Sequence, residues 1–151
     1  MSREYDCIKN ILPKYPGHYT YGDLIFFNGP YKDHNITTVI SGIGKVNAAS
    51  TTAIMIQQGC YDKKPYDLII NLGCAGALTP DLKVGDLVDG EYYTYHDVWC
   101  PIDNSIQRGQ LPGLSKHISL ANIFNHDIHS DMNWGCIHTG DQFIQSIQEC
   151  E

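Results

Sequence analysis

The chain has 151 residues, 42% of them hydrophobic and 18% charged. That composition excludes a disordered chain and suits a single globular domain, which at this size buries about two-thirds of its unfolded surface. The formal net charge is −7, from ten basic and seventeen acidic side chains with no Lys/Arg run, so a nucleic-acid partner has no electrostatic footing and an anionic membrane would repel the chain.

Residues 2–12 place Tyr5, Ile8, Ile11 and Leu12 on one helical face, with Ser2 as a cap and Pro13 just past the end. The Tyr/Pro/Gly-rich stretch KYPGHYTYG reads as a loop. Residues 24–28 (LIFFN) read as a strand punctuated by Gly29-Pro30, and residues 36–41 (ITTVIS) as a second, β-branched strand. Gly42-Ile43-Gly44 then opens a helix over roughly 45–58, with Val46, Ala49, Ala53 and Ile56 along one side. Residues 67–72 (DLIINL) form a continuous apolar run of the kind buried on both faces of a sheet. One or two strands are expected in 85–97, a long loop over 98–114, a short helix over roughly 115–125 and a strand near 134–139. This alternation of strands and helices predicts a layered α/β fold, one domain spanning 1–151.

The six cysteines, at 7, 60, 74, 100, 136 and 150, form no close pair and no CxxC, and MSREYDC at the start is no signal peptide. Buried reduced thiols and a cytoplasmic location are expected. On the same ground the sequon Asn35-Ile36-Thr37 carries no weight, and no apolar stretch approaches a membrane span.

Two turns carry the chemical interest. Gly42-x-Gly44 stands between a strand and a helix, but Asn47 occupies the third position of a dinucleotide fingerprint, which therefore fails. The alternative is a tight strand-to-helix turn. Asn71-Leu72-Gly73-Cys74-Ala75-Gly76-Ala77-Leu78 follows the apolar run, and small residues there let a flat ligand approach the backbone. His126-x-x-His129, flanked by Asp127 and Asp131, has metal-ligand residue types in a polar, loop-like stretch.

Six segments in order, SGIGKVNAA at 41–49, PYDLIINLGCAGAL at 65–78, LKVGDLV at 82–88, YHD at 95–97, GQLPG at 109–113 and TGDQFI at 139–144, resemble the 5′-methylthioadenosine/S-adenosylhomocysteine nucleosidases of the purine nucleoside phosphorylase superfamily. The resemblance implies a three-layer sandwich with a central mixed β-sheet flanked by helices, here incomplete. Met1-Ser2-Arg3-Glu4 matches the family's Met-x-x-Glu, so the family's first strand would precede residue 1, and its ribose-binding Met-Glu pair and Ser-Asp acid would follow residue 151. The reaction implied is cleavage of the bond between adenine and ribose through an oxocarbenium-like transition state. Glu4 is implied as the carboxylate that activates water, and Met1 as a neighbour of the ribose. Cys74, Ala75 and Gly76 would line the base pocket, Cys74 standing where many relatives have serine. Phe143 would stack on adenine as the lid of that pocket, and Ile144 would offer its backbone to the base edge.

Leu111 and Pro112 match a loop that enters a partner subunit's pocket, which implies a homodimer. No metal and no cofactor is implied. Tyr95-His96-Asp97 is expected to be structural or near the pocket. Asn71 stands where phosphorylase relatives carry arginine, and an amide cannot neutralise phosphate, so water is the expected nucleophile. The resemblance also implies impaired turnover by this chain. The alternatives are a non-catalytic purine-binding or subunit-interaction remnant, and an enzyme for another purine nucleoside.

Overall fold

The structure is a computed structural model that describes residues 17–102, 105–119 and 132–144. The chain divides into two compact units, Met1–Ala75 and Gly76–Glu151. The expected helix at 2–12 lies outside the described residues.

The first unit is built on two short hairpins. Strands β1 (Gly17–Tyr21), β2 (Leu24–Tyr31) and β3 (His34–Val39) form an antiparallel sheet in the order β1-β2-β3. Tyr21 pairs with Leu24 and Tyr31 with His34, so each hairpin turns on two residues. The first residue of each turn is left-handed: Gly22 at φ 56° and Lys32 at φ 52°. Two-residue hairpins favour such conformations because they match the strand twist.

The GHYTY segment, expected as loop, is strand β1. Its Tyr19 lies opposite Phe26 and stacks on it, with ring centroids 4.7 Å apart and planes 2° from parallel. Phe26 is fully buried. Strand β2 runs through Gly29-Pro30, where the sequence predicts an end. Among the described residues pairing with β1 runs as far as Asn28, and Pro30 pairs with Asn35 of β3.

Helix α1 spans Lys45–Tyr61. Gly44, at φ 93°, is its N-cap, and Ala48 N–H donates to the Gly44 carbonyl at 3.1 Å. The helix ends at Asp62, followed by the left-handed Lys63 at φ 55°. Lys64 N–H closes back to the Gly59 carbonyl at 2.9 Å. Pro65 then follows, as expected. The stripe of Val46, Ala49, Ala53 and Ile56 is not the face that packs. Thr51 and Gly59 are buried, while Val46 is 75% exposed, because no element among the described residues covers that stripe.

The expected strand at 67–72 is likewise corrected. Residues 67–78 form no strand and are exposed, Ile70 at 65%. An apolar run becomes a buried strand only where neighbours supply ladder partners on both sides, and none does so among the described residues.

In the second unit, β4 (Val88–Tyr95) pairs in parallel with β5 (Asn133–Thr139), with an irregularity between Gly90 and Tyr92. The other edge of β4 takes an antiparallel bridge. Tyr93 N–H donates to the Ile118 carbonyl at 2.9 Å, and Ile118 N–H to that of Tyr93 at 2.8 Å. Pairing around β4 is therefore mixed. Residues 115–119 are not helical as expected, because the backbone of Ile118 is committed to that edge.

The four cysteines described, Cys60, Cys74, Cys100 and Cys136, form no disulfide, but none is buried as expected. No helix among the described residues is long and apolar enough to cross a membrane.

Candidate functional site

Two of the expected site residues, Met1 and Glu4, lie outside the described residues, as does His126-x-x-His129. Among the described residues no group of three His, Cys, Asp or Glu side chains could hold a metal ion.

The first glycine turn closes on itself. Asn47, the residue that breaks the dinucleotide fingerprint, donates from Nδ2 to the Ile43 carbonyl at 2.7 Å. A Cβ built on Gly42 would meet that amide at 3.3 Å, and Gly42 itself sits at φ 90°. The turn thus needs glycine for its backbone and Asn47 for its closure.

The second turn is open. Cys74, Ala75 and Gly76 are all exposed. A Cβ added at Gly73 or Gly76 would meet nothing within 4 Å, and neither glycine has a positive φ. Packing among the described residues does not require glycine at 73 or 76.

The TGDQFI segment leaves the end of β5 under close restraint. His96 N–H, just past β4, donates to the Thr139 carbonyl at 3.0 Å. The imidazole of His96 lies against Gly140, on the ground a Cβ there would occupy. Asp141 N–H donates to Asp97 Oδ2 at 2.8 Å. Phe143 follows, 79% exposed, and Ile144 is half-buried. Tyr95-His96-Asp97 is therefore a clamp on the turn that leads to Phe143. The sequence hides this contact, because the two tripeptides lie far apart along the chain. The signal that could have found it is that both follow strands that pair in parallel, whose carboxyl ends emerge together.

The clamp sits beside an imidazole cluster. Burial holds the His138 pKa below its usual 6.5, and charge on His96, His117 and Lys116 lowers it further. Burial pushes the Cys136 thiol up, opposed by Lys116. In the GQLPG loop, Gly109 at φ 84° packs on Tyr95 and Thr94, where a Cβ would strike the Tyr95 carbonyl oxygen. Its N–H donates to the Val98 carbonyl at 2.8 Å. Gln110 ties the loop further, donating from Nε2 to the Leu114 carbonyl at 2.8 Å. Between these anchors Leu111 is half-buried and Pro112 exposed.

The model of the phosphorylase superfamily matches residues 1–149. The chain is similar to the 5′-methylthioadenosine/S-adenosylhomocysteine nucleosidase of Oceanobacillus iheyensis, 35% identical over 127 residues that cover 80% of this chain and 53% of that protein. The Staphylococcus aureus nucleosidase of the same name is 31% identical over 156 aligned positions, covering 99% of this chain and 65% of that protein. Among solved structures, the Neisseria meningitidis nucleosidase in complex with methylthio-immucillin-A superposes with a TM-score of 0.82 at 28% identity, over 99% of this chain and 66% of the other. The chain spans about half to two-thirds of the length of the curated relatives it matches, 53% of one and 65% of another.

Proposed function

The chain belongs to the phosphorylase superfamily and has its α/β fold, and on that premise we propose that it is part of an N-glycosidase. The reaction is hydrolysis of 5′-methylthioadenosine or S-adenosylhomocysteine with release of adenine. The observation that carries this is that the likeness to nucleosidases of that name runs over nearly the whole chain. Asn71, in place of a phosphate-binding arginine, supports water over phosphate as the nucleophile.

Roles are proposed residue by residue. Glu4 activates water and Met1 contacts the ribose. Cys74, Ala75 and Gly76 bind the base, Phe143 stacks on it, and the Ile144 backbone reads its edge. Leu111 and Pro112 serve the pocket of a second subunit in a homodimer. A cytoplasmic location, with no nucleic-acid or membrane partner and no cofactor, completes the proposal.

The test is adenine release from methylthioadenosine with and without inorganic phosphate. Release is expected to be independent of phosphate, and Glu4→Gln to slow it by ~10²–10⁴-fold, the usual range for loss of a general base. Strict dependence on phosphate, or a Glu4→Gln variant as fast as its parent, overturns the assignment.

A further inference from the structure

We infer that Asp97 and His96 are positioning residues for Phe143 and Ile144, so that the Tyr95-His96-Asp97 segment governs affinity for the base without touching it. Phe143 is 79% exposed, so its own packing cannot fix where its ring stands. Its place is set by the backbone that delivers it. That backbone is held at three successive residues: Thr139 through its carbonyl, Gly140 under the His96 imidazole and Asp141 through its N–H. All three restraints come from the two residues that follow β4. A carboxylate acceptor strengthens the Asp141 bond relative to a neutral one. With the imidazole where it stands, a Cβ at residue 140 would overlap it.

The inference rests on the base-binding reading of Phe143 and Ile144, and its test separates the two. Adenine affinity of the 151-residue chain is measured by calorimetry, alongside hydrogen exchange at the Asp141 amide. Asp97→Ala is expected to speed that exchange and to weaken adenine about tenfold, the scale of one hydrogen bond to a charged acceptor. Asp97→Asn keeps an acceptor oxygen and is expected to restore both to within about threefold.

Should Asp97→Ala not fold, a double-mutant cycle carries the test. Gly140→Ala drives a methyl into the His96 ring and weakens adenine, and His96→Ala in the same chain relieves much of that loss. Strictly additive effects overturn the contact. Faster exchange in Asp97→Ala with unchanged affinity overturns the positioning role. If Phe143→Ala also leaves affinity unchanged, the fault lies in the base-binding reading itself.

Discussion

The loop at 71–78 and the turn at 139–144, both proposed to serve the base, each contain glycine, yet in different surroundings. At Gly140 the want of a side chain answers a demand inside the fold, because the His96 ring stands there. At Gly73 and Gly76 the described residues make no such demand; none of them comes within 4 Å of an added Cβ. Small residues that packing does not require are the ones to suspect of serving a ligand. Glycine thus answers a packing need at residue 140, and at residues 73 and 76 it leaves room for the ligand role we propose for that loop.

The largest effect expected to test this contrast is on binding. Phe143→Ala removes a stacking face worth about 1–3 kcal/mol per base, so adenine affinity measured by calorimetry should fall ~5–150-fold. The melting temperature should move little, since the ring is 79% exposed. Equal loss of affinity and stability would make Phe143 a core residue instead.

Next comes a comparison of glycines by chemical denaturation. Gly140→Ala is expected to destabilise the chain by about 1–3 kcal/mol, the cost of overpacking. Gly73→Ala should stay within about 0.5 kcal/mol. Equal costs at the two positions would erase the distinction.

Smaller again is the difference in thiol reactivity. Cys136 and Cys74 are both exposed, but partial desolvation raises the Cys136 pKa, so it should be alkylated by iodoacetamide more slowly at pH 8 than Cys74. Adenine should protect Cys74 and leave Cys136 unaffected. Mass spectrometry of labelled peptides reads both, and protection of neither thiol would argue against base binding at Cys74.

The smallest expected effect is a pH slope beside the clamp. His138 has a folded-state pKa below the 6.5 it has when unfolded. As pH falls below 6.5 the unfolded chain takes up the proton first, so this group's stabilising contribution is lost between 6.5 and the lower folded value. Above that window it is fully retained. Melting curves from pH 7.5 to 5 should fall less steeply for His138→Val than for the parent.

Much of the architecture can be read from the chain, and the failures share a cause. β3 and the start of α1 follow from a β-branched run and a glycine turn, which are local signals. Strand β1 escapes because Pro16 and Gly17 suggest a loop, while the Tyr19–Phe26 stack that makes it a strand is a cross-strand fact. The apolar run at 67–72 misleads in the opposite direction: its composition announces a strand, but a strand exists only with partners. The same holds for 115–119, claimed by the edge of β4. At the site, residue identities came through resemblance, whereas the hold of Asp97 on Asp141 depends on a parallel pairing that no local pattern encodes.

The two kinds of strand pairing also set an order of events for the nascent chain. The β1-β2-β3 meander closes over turns of two residues, and hairpins of that kind form in about 1–10 μs. The β4–β5 pair must bring together residues some 44 positions apart, as in the Asp97–Asp141 bond, and the loop-closure entropy must be met before any ladder forms. Refolding should therefore deliver the aromatic stack around Phe26 first, with the turn that carries Phe143 among the last parts to arrive.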